Sequence, residues 1–203
     1  MNGALMSAAS GVPALLWMAH AWWLGRRLDT ARRDPLTGLH TRDAFTHRAV
    51  RLLGRPGAIV VLVDLNGFKR VNDTHGHAAG DAVLRAVAGR LSSWAGPGAA
   101  VGRIGGDEFA VVRDLRTGYP GYAVAELHRW LREPVEFGDA VLPSAGAVGA
   151  VGAVRELSTA LAVADDAMYE SKRLGTPVFL PGVPAGAPSG ATVRRAGSRG
   201  GAR

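Results

Sequence analysis

The chain has 203 residues, 47% of them apolar and 20% charged, enough for one ordinary domain with a core and too apolar for disorder throughout. Cysteine is absent, which excludes disulfides, thiolate metal sites and cysteine nucleophiles and leaves the redox compartment unreadable. The net charge of +7 invites a nucleic-acid partner, but the basic groups sit in the extensions. The last 23 residues hold four arginines and no acid, and the first 34 hold four arginines against two aspartates, leaving +1 from Pro35 to Leu180. A DNA- or RNA-binding domain carries its basic face within the fold, so no nucleic-acid partner is expected.

From Ala4 to Leu24 no residue carries a formal charge. As a helix these 21 residues would be roughly 32 Å long, enough for the hydrocarbon core of a bilayer. Trp22 and Trp23 stand where an aromatic belt would be, and Arg26, Arg27, Arg32 and Arg33 would keep the C-terminal side in the cytoplasm. A membrane anchor is therefore expected in residues 1–33, on the cytoplasmic membrane. The alternative is a helix docked on the domain of a soluble cytoplasmic protein, since Ser7, Ser10, Gly11 and Pro13 weaken the span. Leu24, Leu28 and Ala31 could line a short helical connector, pairing with its copy in a dimer or lying in solvent, before Asp34-Pro35 stops it.

The segment 34–180 alternates helical and strand patterns and forms the expected domain. Thr37 to Leu53 has helical spacing through Leu39, Phe45, Ala49, Leu52 and Leu53. Ala58 to Leu65 (AIVVLVDL) is a near-continuous apolar run, the mark of a central strand buried on both faces. Ala79 to Trp94 returns to helical spacing. Ala99–Ile104 and Phe109–Arg113 read as strands of a hairpin around Gly105-Gly106-Asp107-Glu108. A helix over about Gly121–Arg132, a strand around Ser144–Val151, a helix over about Glu156–Leu174 and a strand near Val178 complete the set. This order predicts an α/β (α+β) domain on a mixed sheet rather than a doubly wound parallel one. The last 23 residues, with six glycines, three prolines and no aromatic residue, hold too little apolar area to offset chain entropy and are expected to be a disordered tail.

Two clusters can carry chemistry. Asp64 ends the buried strand, where a carboxylate is costly unless it is paired or binds a cation, although aspartate at a strand end is also a common turn former. Gly105-Gly106 permits positive φ or a close approach by a phosphate, and the adjacent Asp107 and Glu108 repel each other unless a cation intervenes. A plain solvated turn would look the same. If the two strands are neighbours, three carboxylates meet at one sheet edge and suit a hard ion such as Mg²⁺ or Mn²⁺, the equipment of phosphoryl and nucleotidyl transfer. His75 and His77 lack the further ligands that a zinc site needs. Asp81 either caps a helix N-terminus or reads a base, because a carboxylate can accept the N1–H and exocyclic amine of guanine and adenine lacks that donor pair. Asn72 could add an amide contact to the same base.

These residues resemble the GGDEF domains, the diguanylate cyclases. Asp34-Pro35-Leu36-Thr37-Gly38-Leu39 with Arg42 and Phe45 is similar to the opening signature. Phe68-Lys69, Asn72-Asp73, Gly76-His77, Gly80-Asp81 and Leu84 are similar to the second block, and Arg103 to Phe109 contains the name-giving motif intact. Ser144 with Gly146, and then Ala164-Asp165, Met168-Tyr169 and Lys172-Arg173-Leu174-Gly175, resemble the last blocks. The resemblance implies a palm-like fold related to nucleotidyl cyclases, with a mostly antiparallel central sheet and the GGDEF hairpin at the active site. It implies condensation of two GTP into cyclic di-GMP and pyrophosphate between two antiparallel copies, each 3′-hydroxyl attacking the opposite α-phosphate, so that a homodimer is required. Asp64 and Asp107 would then hold the metals, two Mg²⁺ (or Mn²⁺) per active site, with the Leu65 carbonyl and Glu108 assisting. Asp107 is also the position proposed as general base. Asn72 and Asp81 would bind guanine, His77 would lie near the nucleotide, Lys69 belongs with these substrate-binding positions, and Lys172 would neutralise the terminal phosphates. Thr41 stands where asparagine is usual, and Thr176 stands where the family often has arginine, which bears on GTP affinity and leaves Arg173 as the nearest other cation. The product-inhibition site has no counterpart, since Gly96-Pro97-Gly98-Ala99 carries no charge. The rival class is a catalytically silent GTP- or partner-binding module, and a cyclase of altered nucleotide choice is a third reading.

Overall fold

The computed structural model describes residues 16–18, 20, 32–115, 118–152 and 154–182. The expected anchor over Ala4–Leu24 lies almost wholly outside the described residues, and the expected tail lies outside them beyond residue 182. Among the described residues no helix is long and apolar enough to cross a membrane. Leu16, Trp17 and Met18 are exposed.

In chain order the elements are α1 (Arg42–Leu53), β1 (Ala58–Leu65), α2 (Phe68–His75), α3 (His77–Ala95), β2 (Ala100–Arg103), β3 (Glu108–Asp114), α4 (Pro120–Leu131), β4 (Val135–Phe137), β5 (Ala140–Leu142), β6 (Gly146–Gly152), α5 (Leu157–Leu174) and β7 (Val178–Leu180). Five strands form one sheet in the order β2-β3-β1-β6-β7, antiparallel except for the β6–β7 pair, while β4 and β5 form a separate hairpin. The mixed, mostly antiparallel sheet is the one predicted.

β1 is the central strand, and its period of two decides the layers. Ile59, Val61, Val63 and Leu65 enter the core shared with α3 and α4, while Val60 and Leu62 enter the core shared with α1 and α5. Asp64 continues the even set and therefore belongs to the α1–α5 face. In β3 the same alternation puts Phe109 and Val111 on one face and Ala110 and Val112 on the other, with Glu108 directly opposite Asp64 in register.

The last helix is held close to the sheet. A Cβ added to Gly149 would lie 2.1 Å from the Met168 nitrogen and 2.2 Å from the Ala164 oxygen, so only glycine lets α5 seat there. One residue earlier, Val148 lies beyond the end of β7, whose first residue pairs with Gly149. Its N–H donates instead to the buried Ser171 hydroxyl at 3.0 Å, which satisfies a backbone donor that the sheet leaves over.

Three elements differ from expectation. The first helix begins at Arg42, because Asp34 accepts hydrogen bonds from the Thr37 N–H (2.8 Å) and hydroxyl (2.6 Å) and Gly38 adopts φ +71°, which winds Asp34–Leu39 into a turn. The third helix begins at His77 rather than Ala79, and α2 precedes it with only Val71 buried, too few apolar positions to show a period. The β4–β5 hairpin closes on Gly138-Asp139, with Gly138 at φ +57°, a two-residue turn of the kind that positive φ makes possible.

Replacing Gly149 with alanine should destabilise the fold by about 3 kcal/mol, since an intruding methyl meets backbone on both contacts. An unchanged urea midpoint would show that α5 has room to recede.

Candidate active site

The end of the sheet where β1 stops and β3 starts gathers the candidate residues. Glu108 faces Asp64 across the strand pair, and the Leu65 N–H donates to the Asp107 carbonyl at 3.2 Å, which ties the hairpin tip to the end of β1. Lys172 reaches in from α5, its Nζ 2.9 Å from Asp64 Oδ1. Asp64 is the less exposed partner, at 17% against 42% for the lysine side chain. The Asn66 N–H donates to the Ala145 carbonyl (2.9 Å), and Gly67, at φ +70°, turns the chain at once into α2.

The glycines of the hairpin serve differently than expected. Neither Gly105 nor Gly106 is among the positive-φ glycines, so handedness does not explain them. A Cβ on Gly105 would come within 2.3 Å of Glu108 Oε2, because the Glu108 carboxylate folds back over that position. A Cβ on Gly106 would meet nothing within 4 Å, so this chain leaves open space there.

Two arginines clamp the tip. Arg42, at the start of α1, donates through Nε (3.0 Å) and Nη2 to the Ile104 carbonyl. Arg103 donates to the Gly106 carbonyl through Nε (3.1 Å) and Nη2 (2.6 Å), and its Nη1 pairs with Asp34 Oδ1 at 3.3 Å. Burial alone would raise the Asp34 pKa, but hydrogen bonds from Thr37 and the Arg103 guanidinium outweigh it and hold the carboxyl below its ordinary 3.8. The opening Asp34–Leu39 turn is thereby wired to the hairpin. Motif letters named Arg42, Arg103 and Asp34, but their clamping role was not read from the sequence, because 69 residues separate Asp34 from Arg103 and nothing local marks the pair. Behind the hairpin a hollow of about 300 Å³ is lined by Arg42, Glu108, Leu161, Asp165 and Met168, among others.

The base-reading candidates lie on the α2–α3 pair. A Cβ on Gly80 would sit 1.9 Å from Asn72 Oδ1, so the Asn72 amide rests in the space that glycine leaves. Asp81 does not cap a helix, since α3 starts four residues earlier with Gly76 as its cap. Its carboxylate stands 4.0 Å from Arg85 one turn on, both side chains well exposed. Lys69 and His77 are exposed, on α2 and at the first residue of α3.

The backbone thus brings Asp64, Leu65, Asp107, Glu108 and Lys172 together, but the expected meeting of three carboxylates is not complete. Among the described residues no three His, Asp or Glu side chains stand close enough to hold a metal ion. Asp64 is engaged by Lys172 and Glu108 is turned over Gly105. The donor set, two aspartates, one glutamate and a main-chain carbonyl, is all oxygen and fits a hard divalent ion chemically. The ammonium on Asp64 shows that this carboxylate takes a cation at contact distance.

Comparison with known proteins shows which family the chain resembles. The family model described as "Diguanylate cyclase, GGDEF domain" matches residues 31–177. An uncharacterized 19.3 kDa protein from the repSA 5′ region of Streptomyces ambofaciens is 49% identical over 172 residues, which cover 82% of this chain and 92% of that one. The diguanylate cyclase VdcA of Vibrio cholerae is 31% identical over 158 residues, 73% of this chain and 46% of VdcA. Other relatives are named as cyclic di-GMP phosphodiesterases. A crystal structure of a sensory box/GGDEF family protein from Caulobacter crescentus superimposes with a TM-score of 0.66 at 34% identity, covering 71% of this chain and all but 1% of that one.

If the Asp34–Arg103 pair secures the hairpin, Asp34→Asn should cost about 1 kcal/mol at pH 7. A carboxyl whose pKa is depressed by folding stabilises the fold above its unfolded value and loses that contribution as the pH falls below it. The gap between parent and variant should therefore close below the ordinary 3.8, as seen in urea midpoints measured across pH. A gap that persists at low pH would deny the charge a role. By its sequence and its fold, this chain belongs to the GGDEF domain family.

Proposed function

We propose that the chain is a diguanylate cyclase, joining two GTP into cyclic di-GMP with release of two pyrophosphates between two antiparallel copies. The observation that carries this reading is the gathering of Asp64, the Asp107–Glu108 hairpin and Lys172 at one sheet end, in a chain whose family includes named cyclases. Asn72, seated over Gly80, and Asp81 would accept and donate along the edge of guanine, with Lys69 and His77 beside the nucleotide. The open space at Gly106 leaves room for a phosphate to approach the backbone. Lys172 would neutralise the terminal phosphates and so ease departure of pyrophosphate.

Asp64, the Leu65 carbonyl, Asp107 and Glu108 are the residues that would hold Mg²⁺ or Mn²⁺, two per active site. Bound there, such ions supply Lewis-acid polarisation of the α-phosphate and acidify the attacking hydroxyl. Asp107 would accept the proton of the 3′-hydroxyl. Each copy presents one nucleotide, so a single copy cannot close the ring, and the homodimer is part of the mechanism. The uncharged Gly96–Ala99 stretch supports turnover without feedback inhibition at that surface. A membrane tether rests on the composition of Ala4–Leu24 alone.

The test is Mg²⁺-dependent conversion of GTP by the full chain, followed by chromatography of the nucleotides. Cyclic di-GMP should appear with the parent, and Asp107→Ala should lower the rate by about 10³-fold or more, the scale expected when a group acting on the transferring phosphate is lost. GTP binding without product from the parent would instead indicate a silent binding module. Asp81→Ser should relax the preference for GTP over ATP, and an unchanged preference would remove Asp81 from base recognition.

A further inference from the structure

We propose that Lys172 is a place-holding cation. Its ammonium sits on Asp64 Oδ1, where it competes with a divalent ion for the carboxylate, so ion binding is favoured as Lys172 leaves, and the nucleotide phosphates are where it goes. The inference rests on the reading of Asp64 as an ion ligand and adds to it an order and a coupling.

Asp64 is the one charged residue of a strand whose other seven residues are buried. With its side chain 17% exposed, a lone carboxylate there would be poorly hydrated, and Lys172 Nζ at 2.9 Å supplies the opposite charge. An ammonium and a divalent cation on one carboxylate repel each other at a few ångströms, so an ion binds Asp64 more tightly once the Lys172 ammonium has moved away.

Only the lysine side chain is free to yield. Its neighbour Ser171 is buried and accepts the Val148 N–H at 3.0 Å, and Gly149 locks the preceding turn at Met168, so the backbone of α5 stays in place. The side chain of Lys172 is 42% exposed and hangs on a flexible four-carbon stem, so the ammonium can swing toward solvent without moving the helix. The other charged group across from Asp64 is Glu108, whose carboxylate leans over Gly105. Two binding events thus share one lysine: a nucleotide that draws the ammonium away exposes Asp64, and an ion on Asp64 releases the ammonium for phosphate. By linkage each must strengthen the other.

The experiment is a Mn²⁺ titration of the full chain without nucleotide, read by the loss of the free Mn²⁺ electron paramagnetic resonance signal. Lys172→Met should bind Mn²⁺ roughly threefold or more tighter than the parent, since a competing ion pair is gone. Lys172→Arg, which keeps a cation in reach, should show no gain and separates lost charge from altered folding. Asp64→Asn added to Lys172→Met should erase the gain. No tightening in Lys172→Met, with weaker binding in the double variant, would overturn the place-holding role and leave Asp64 as an ion ligand. No tightening and no effect of Asp64→Asn would overturn the ion-ligand reading as well.

Discussion

The backbone of α5 lies so close to β6 that any Cβ at position 149 would fall 2.1 Å from the Met168 nitrogen. The functional end of the sheet depends on that approach. It fixes the height and rotation of the helix, and Ser171 repeats the constraint by taking the Val148 N–H of β6, beyond the reach of β7. Lys172 follows Ser171 directly, so its Cα is placed by packing while its ammonium remains on a mobile stem. The helix is held rigidly while one charge on it can adjust.

Opposite that helix, the alternation of β1 and the register of β3 put Asp64 and Glu108 side by side on the same face. The hairpin that carries Asp107 and Glu108 does not rely on its own four residues for shape. Arg42 binds the carbonyl before the glycines and Arg103 the carbonyl between Gly106 and Asp107, so the tip is held from both sides by guanidinium forks. Asp34 orients Arg103 in turn, and its own geometry comes from the Thr37 hydrogen bonds. A chain of polar contacts therefore runs from the opening turn to the residues that would do the chemistry. The energetic logic is that carboxylates crowded at one edge repel, and cations placed next to the backbone hold the loop without neutralising the carboxylates themselves.

Much of this was legible in the sequence, and the reasons are physical. A near-continuous apolar run such as AIVVLVDL has only one comfortable location, and the structure puts it at the centre of the sheet. The amphipathic periods of α1, α3, α4 and α5 and the hairpin around Gly105-Gly106 were legible for the same reason. What escaped were elements whose order comes from contacts distant in the chain. Helix α2 buries only Val71, and β4 and β5 are three residues each, so neither offers a period to detect. Thr37–Leu39 reads as the start of the first helix because Leu39 falls in its apolar spacing, yet Asp34 takes the Thr37 N–H into a turn and the helix starts only at Arg42. At the site, residue types announced the carboxylates and lysine, but not that Lys172 would sit on Asp64, that Glu108 would fold over Gly105, or that Asp81 would stand beyond the cap of its helix.

We propose the sheet end bounded by Asp64, the hairpin and Lys172 as an ion and nucleotide site. The most direct measurement is a crystal structure of the chain grown with Mn²⁺ and a non-hydrolysable GTP analogue, with the manganese located by its anomalous scattering. Manganese is expected on the Asp64 carboxylate, with Lys172 turned from Asp64 onto the phosphates and the guanine edge against Asn72 and Asp81. Manganese elsewhere, or a nucleotide bound while Lys172 still rests on Asp64, would contradict it.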